Sequence, residues 1–320
     1  MSKILVTGGA GYIGGTTVAL LLEQGFEVNV LDDCSTGHAD SVPTAASFFQ
    51  GSILDGNLVR SALAGCEAVI HFAAKSLVGE SVEKPELYHH NNVLGSQLLF
   101  DEMDGAGVTK IVVSSSAATY GDAKEQPILE SHKAEPTNPY GETKLAVDNL
   151  LSDIAAEENF SAISLRYFNV AGALQVREHW LAERHDPETH LIPNVLKANQ
   201  TNPLKIFGTD WETKDGTCIR DYVHVVDLAQ AHIQALAALT PGRHEIINLG
   251  SGGGYSVREV IDTAREVIGR EIPVIESDRR AGDPAILIAS IAKAEELLGW
   301  RPTRNLEAMI SDAFKSLEGI

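Results

Sequence analysis

The chain is short of positive charge, of cysteine and of long apolar runs, and each shortage removes a class of function. Lys and Arg number 25 against 44 Asp and Glu, a formal net charge of −19 over 320 residues. Such a surface repels polyanions, so nucleic acid and anionic membranes are excluded as partners, and the acidity serves solubility. No stretch approaches the roughly 18 uninterrupted apolar residues of a membrane span. The start, Met1-Ser2-Lys3-Ile4, enters a strand pattern at once, so no signal peptide is expected. Three cysteines, Cys34, Cys66 and Cys218, are few, odd in number and without metal spacing, which predicts a reducing, cytoplasmic setting. Eleven histidines, His179, His185 and His190 among them, match neither paired helical ligands nor a zinc signature, so no metal is expected. Internal repeats and low-complexity tracts are also missing. What remains is an ordinary apolar share of 44%, enough for a sizeable core in one large or two smaller domains.

The first 33 residues carry a cofactor signal. Lys3 to Thr7 reads as a short buried strand, followed by Gly8-Gly9-Ala10-Gly11-Tyr12-Ile13-Gly14. An amphipathic helix with Val18, Leu21 and Leu22 stops at Gly25, and a second strand, Glu27 to Leu31, ends in Asp32. Glycines let backbone turn tightly and approach a pyrophosphate, and the helix start offers free N–H groups and the positive end of its dipole. A carboxylate closing the second strand can accept both ribose hydroxyls. The spacing is Gly-x-x-Gly-x-x-Gly. Alone it says little; strand, glycines, helix, strand and Asp in order predict a dinucleotide site. Asp32 and Asp33 would repel a 2′-phosphate, and no Arg or Lys occurs from Asp32 to Val59 to compensate, which argues for NAD.

Tyr140 and Lys144 supply the chemistry. A phenol with its usual pKa of about 10 is a poor base. A lysine four residues on stands on the same helix face, and its ammonium would favour the phenolate. Tyr120 and Lys124 share the spacing, but Gly121, Asp122 and Pro127 make that segment a turn. After Tyr140, Leu145, Val147, Leu150, Leu151 and Ile154 recur at helical spacing, and Pro139 suits a first helical turn. Only Tyr140 and Lys144 should therefore lie on a regular helix.

Strand and helix patterns alternate to about residue 170, with further strands at Ala68 to Phe72, Lys110 to Ser114 and Ser161 to Arg166, and a helix around Asn91 to Met103. This predicts an α/β fold, a Rossmann-type doubly wound parallel sheet over residues 1–170. A smaller C-terminal α/β substrate domain follows over 171–320, with some later segments free to cross back. Ligands of such sheets bind at the carboxyl ends of strands. Those ends hold Gly8, Asp32, Phe72-Ala73-Ala74, Ser114-Ser115-Ser116 and Tyr167-Phe168-Asn169. Ser256 with Glu259 forms a capping box, and Gly252-Gly253-Gly254 before it reads as a flexible turn, since no Gly-Lys-Ser/Thr follows. His224 reads as a core histidine.

The glycine motif, the Ser114-Ser115-Ser116 strand end and Tyr140/Lys144 resemble the extended short-chain dehydrogenase/reductases. More narrowly, the chain is similar to the UDP-glucose (UDP-galactose) 4-epimerases nearly end to end. The similarity includes Phe72 to Ser81, Leu165 to Asn169, Asp215 to Val225, and Arg279-Arg280-Ala281-Gly282-Asp283. It implies an isomerase in which Tyr140 takes the proton of the sugar 4-hydroxyl while C4 gives hydride to tightly held NAD. Lys144 holds the nicotinamide ribose and lowers the Tyr140 pKa, and Ser116 bonds the 4-oxygen. For NAD the resemblance further implies Gly8, Gly11, Tyr12, Ile13, Gly14, Asp32, Asp33, Ser52, Ile53, Phe72, Ala73, Ala74, Lys75, Asn92, Ser114 and Tyr167. For the UDP-sugar it implies Phe168, Asn169, His190, Leu191, Phe207, Arg220, Tyr222, Arg280 and Asp283, with the arginines gripping the diphosphate. It implies a homodimer through helices at about 88–104 and 140–157. Three positions depart from the family pattern. Ser52 stands where an Asp usually contacts adenine, Asp33-Cys34 replaces Asn-Leu, and Leu287 occupies the place of a bulky Tyr gate, which predicts turnover of UDP-N-acetylglucosamine. Other UDP-sugar epimerases, acting on N-acetylhexosamines, pentoses or uronates, fit the same motifs. A 4,6-dehydratase would need an Asp-Glu pair where Ser115-Ser116-Ala117 stands. A non-catalytic NAD sensor would have no need of Tyr140, Lys144 and Ser116 together.

Overall fold

The computed structural model describes residues 2–158, 160–280 and 283–319; Ala281 and Gly282 of the late arginine-containing run lie outside the described residues. Seven parallel strands form the central sheet: β1 (Lys3–Thr7), β2 (Glu27–Asp32), β3 (Ser47–Gln50), β4 (Ala68–His71), β5 (Lys110–Ser116), β6 (Ser161–Tyr167) and β7 (Arg243–Leu249). Their spatial order is β7-β6-β5-β4-β1-β2-β3. The order reverses between β1 and β4, which register as Ile4 with Ala68 through Thr7 with His71. That reversal opens a crevice at the carboxyl edge, where ligands of doubly wound sheets bind.

Both faces of the central strands are buried, so β1 and β4 read as short, mostly apolar runs. One face packs Val18 and Leu21 of the helix Tyr12–Glu23 and Leu228 and Ala231 of the helix Val225–Ala238 against Val6, Val30 and Leu165. The other packs Val59, Leu99, Met103, Val147 and Leu151 against Leu5, Val69 and Val113. A third apolar cluster lies in the later half and includes Ile192, Val195, Ile206, Tyr222, Val260 and Ile310. β7 and the helix Val225–Ala238 come from beyond residue 170; β7 pairs with β6, and the helix packs on the central sheet.

The helix Pro139–Glu158 begins at its proline, and Tyr120 closes the short 3₁₀ turn Ala117–Tyr120, so only Tyr140 and Lys144 share a helix. Ser256 and Glu259 form the reciprocal capping box of the helix Val257–Ile268. The turn before it wraps Asp221, whose buried carboxylate accepts from the backbone N–H of Gly252 (3.1 Å) and Ala289 (3.0 Å) and from the Ser251 hydroxyl (2.6 Å). His224 is fully buried, in keeping with a core histidine. Among the described residues no helix is long and apolar enough to cross a membrane.

Candidate active site

The crevice is built first from glycine. Gly8 leaves β1 with φ +71°, and a Cβ there would lie 2.6 Å from the Ala73 nitrogen. A Cβ on Gly14 would lie 2.1 Å from the Gly8 oxygen, so the helix Tyr12–Glu23 can sit against the β1 end only without side chains at both places. Gly11 caps that helix with no side chain, which leaves its first-turn N–H groups for an anion. Asp32 braces the turn: one carboxylate oxygen accepts from Ala10 N–H (2.9 Å), the other from Cys34 N–H (2.8 Å). Burial raises its pKa, against the lowering effect of those two bonds.

The cleft that starts here is continuous from Gly8, Gly11, Tyr12, Ile13 and Gly14, past Asp32, Asp33, Ser52 and Ile53, to Phe72, Ala73, Ala74 and Lys75. It ends at Ser114, Ser116, Tyr140, Lys144, Tyr167, Phe168, Asn169 and His190. The Ser52 hydroxyl accepts from Leu54 N–H at 3.2 Å. Asn92 is the exception among the expected cofactor residues. It is buried beneath the wall, where its amide bonds Lys75 N–H (2.8 Å), Lys75 C=O (3.0 Å) and Thr143 Oγ1 (3.1 Å), and Asn91 lines the cleft instead. Both asparagines lie in a π-helical turn, His89–Leu94, that precedes the helix Gly95–Gly105.

At the chemical end, β5 alternates its serines. Ser114 and Ser116 face the cleft, and Ser115 turns below to donate to Asp148 Oδ2 at 3.1 Å. Ser116 faces the cleft beside Tyr140, where its hydroxyl favours the phenolate, and it accepts from Ala118 N–H at 3.1 Å. Ser114 bonds the Tyr167 hydroxyl, and its carbonyl accepts from Lys144 Nζ at 2.7 Å. Lys144 Nζ lies 5.9 Å from the Tyr140 ring centre. Spacing led us to expect a lowered Tyr140 pKa, and the structure corrects this for the protein by itself. Burial raises it, with only the Ser116 bond acting the other way. Burial also pulls Lys144 down to about 8, while Asp148 supports its charge. A dry pocket penalises phenolate and ammonium alike, and a bound cation is what such a phenol needs to ionise.

The expected UDP-sugar residues divide. Phe168, Asn169 and His190 line the cleft. Asn169 spends its side-chain N–H on the Asp221 carbonyl (3.1 Å), and its strand Asn169–Ala171 runs parallel to Tyr222–His224. Phe207, Arg220, Arg280 and Asp283 gather in the later half. Arg280 stacks on the Phe207 ring (3.9 Å to its centre), and Arg220 lies 3.7 Å from Asp283 and donates to the carbonyls of Ile219 and Pro284. Leu287 registers beside Arg220. Tyr222 is enclosed in the third apolar cluster, and the half-buried Leu191 packs against the same cluster.

Sequence spacing also missed a wall of the cleft. Glu183, His185 and His190 bring one ligand-capable atom each to within 4.8 Å of one another. Both imidazoles are engaged by carboxylates: Glu183 takes His185 Nδ1, and Glu188 takes His190 Nδ1 at 2.8 Å. The Glu183 bond raises the His185 pKa; burial lowers that of His190, but Glu188 and Glu183 outweigh it. Beside them Arg184 clasps Asp40 at 3.0 Å, joining this wall to the loop after β2.

A family model described as NAD dependent epimerase/dehydratase family matches residues 4–250. A curated UDP-glucose 4-epimerase of Corynebacterium glutamicum is 49% identical over 317 residues, covering 98% of this chain and 94% of that protein. A crystal structure of UDP-glucose 4-epimerase from Brucella ovis in complex with NAD is 42% identical, with a TM-score of 0.93 and 98% of each chain covered. One from Bifidobacterium longum in complex with NAD+ and UDP is 34% identical, with a TM-score of 0.90 and 99% of this chain and 98% of that one covered.

Proposed function

We propose that this chain, which belongs to the NAD dependent epimerase/dehydratase family, is an NAD-dependent 4-epimerase interconverting UDP-glucose and UDP-galactose. The observation that carries the reading is Tyr140, lining the same cleft end as Ser116 and one helical turn from Lys144, at the far end of a cleft that begins in a glycine turn. The glycine cradle fits a dinucleotide, since a Cβ at Gly8 or Gly14 would collide with backbone. Gly11, Tyr12, Ile13 and Gly14 would hold the pyrophosphate, Asp32 and Asp33 the adenosine ribose, and Lys75, Ser114, Lys144 and Tyr167 the nicotinamide end. When bound, NAD would supply the hydride acceptor and donor for C4 of the sugar.

The protein's part is proton handling and anchoring. Tyr140 removes the 4-hydroxyl proton and later gives it back, a role worth about 10²–10⁴-fold. Ser116 holds the 4-oxygen, and Lys144 keeps a positive charge beside the phenolate. Arg220 and Arg280 are suited to the diphosphate because planar guanidinium groups pair with phosphate oxygens in a bidentate manner. Anchoring the nucleotide there leaves the hexose free to turn over between the two hydride transfers. Asn169, Phe168 and His190 stand between the anchor and the reacting end.

We read the working unit as a cytoplasmic homodimer. Support comes from Leu87 (37% exposed) and Leu94 (41%), which stand out on the helical run of residues 85–105 that packs against the helix Pro139–Glu158. The test is an NMR assay of UDP-glucose and UDP-galactose with no NAD added. Interconversion by the wild type and a loss of at least about 100-fold in Tyr140→Phe are expected. Full activity in Tyr140→Phe, or protein that neither contains nor takes up dinucleotide, would overturn the reading.

A further inference from the structure

Tyr140, Lys144 and Asp148 recur every four residues on the helix Pro139–Glu158, so they form one ladder on its sheet-facing side. Lys144 and Asp148 are almost wholly buried, at 6% and 1% exposure. Asp148 is an unusual group to find there. All of its donors converge on one oxygen: Ser115 Oγ (3.1 Å), Arg166 Nε (3.0 Å) and Arg166 Nη2 (2.8 Å) all reach Oδ2. Oδ1 is buried with no hydrogen-bond partner among the described residues. A buried carboxylate normally has both oxygens satisfied, so its charge is only half screened by the groups that hold it.

Resting on the proposed epimerase chemistry, we propose that Asp148, held by Arg166 and Ser115, is a positioning residue that supplies the negative charge under Lys144 and so keeps its ammonium ionised beside the Tyr140 base. Asp148 acts through Lys144 and touches no reacting atom. Arg166 reaches the Oδ2 of that carboxylate from β6, whereas Asp148 stands one turn from Lys144 on the same helix, where its charge favours the ammonium.

The other groups around Lys144 do not supply this charge. Tyr140, on its own helix, is the base itself. Tyr167, from β6, stays protonated because burial raises its pKa. His71, from β4, is held neutral by burial, with its pKa near 3. Ser114, from β5, offers a neutral carbonyl, and Lys75, from the loop after β4, adds a like charge to the same cleft. Asp148 is the one anion on this ladder, and Arg166 and Ser115 fix its orientation.

The experiment is the pH profile of kcat/KM for UDP-galactose, together with an ultraviolet difference titration of the Tyr140 phenol referenced to Tyr140→Phe. Removing a nearby anion makes the phenolate easier and the ammonium harder to form, so both limbs of the bell move to lower pH. For Asp148→Asn we expect both to move by about one unit, since charges on adjacent helical turns interact by one to a few kcal/mol in a protein interior. The Tyr140 titration should move the same way. Asp148→Glu should restore the wild-type position, and Arg166→Met should move the bell to higher pH. If Asp148→Asn does not fold, Asp148→Asn/Arg166→Met leaves no uncompensated buried charge, and its bell should still lie on the acid side. A bell that is lower but unmoved in either Asp148→Asn variant, with an unmoved Tyr140 titration, would overturn the proposal. A failed epimerase reading would show separately, as activity retained in Tyr140→Phe.

Discussion

Two adjacent glycines in one helix should behave in opposite ways. At Gly14 an added Cβ meets the Gly8 oxygen at 2.1 Å, the Gly8 carbonyl carbon at 2.8 Å and Gly9 Cα at 2.9 Å. All three are backbone, so no rotamer can give way, and the helix must move by more than an ångström to reach ordinary contact. Overpacking of this kind costs about 1–3 kcal/mol, with a rigid backbone contact at the upper end. The better helix propensity of alanine returns at most about 1 kcal/mol. The displaced helix start also weakens its bonds to the pyrophosphate, and bonds to a charged group contribute about 1.5–3 kcal/mol each. Gly14→Ala should therefore melt several degrees lower and bind NAD at least about tenfold more weakly. At Gly15 the nearest neighbour of the same methyl is the Ser41 oxygen at 3.4 Å, which is ordinary contact. Gly15→Ala should keep its NAD and melt at or above the wild-type temperature. Chromatography of nucleotide released from the denatured protein, with calorimetry on the same preparations, measures both effects. Wild-type NAD content and melting in Gly14→Ala would refute the steric argument. Equal losses in both variants would mean that helix flexibility, and not close packing, is what these glycines provide.

Acid should destabilise the fold early. Burial holds His71 near pKa 3 and His232 near 4, both below the unfolded value of 6.5. Both are therefore neutral when folded, so their contribution is complete above pH 6.5 and is lost as pH falls towards the folded values. At pH 5 the two together should cost about 4 kcal/mol, and in His232→Phe, whose ring neighbours are Phe72 and Tyr167, the slope should fall by one proton. Denaturant melts from pH 7 to 5 check this, and an unchanged slope in the variant would refute it. Leu287 should admit N-acetylhexosamines: UDP-N-acetylglucosamine should turn over, and Leu287→Tyr should reduce its kcat/KM about tenfold or more relative to UDP-glucose. No product at high enzyme concentration would reject that expectation.

What the sequence disclosed and what it hid follow from how locally each feature is determined. The unit from Lys3 to Asp32 was readable because strand, tight glycine turn, helix and closing carboxylate occupy one short stretch, and each residue type has a nearby steric or electrostatic cause. Tyr140 and Lys144 were readable for the same reason, once the apolar period after them separated them from Tyr120 and Lys124. β3 was not foreseen: it is a four-residue edge strand whose side chains are exposed or half-buried, so little burial pattern marks it. β7 was not foreseen because its partner, β6, lies some eighty residues earlier, and pairing across that distance leaves no local periodicity. Asn92, which the resemblance assigns to the cofactor, lies within a π turn that no hydrophobic count at 3.6 residues detects. The wall of Glu183, His185 and His190 is assembled by a loop, and spacing along the chain does not report convergence in space.

The sign of the Tyr140 shift belongs to the same argument and carries it furthest. A spacing of four residues sets the distance between phenol and ammonium, and distance alone favours ionisation. Burial is a property of every layer that closes over the pair: β5 and β6 beneath it and the loop after β4 at its side. In that surround each charge must be matched by a specific opposite charge or remain unformed. Lys144 has Asp148 for this purpose, and Asp148 has Arg166. Tyr140 has the Lys144 ammonium 5.9 Å from its ring centre and the Ser116 hydroxyl, yet burial still raises its pKa, so a further cation brought by the cofactor should favour its base form. On this reading the phenol should titrate at lower pH in protein loaded with NAD than in protein stripped of it. Identical titration of the two forms would mean that the cationic end of the cofactor does not reach the base.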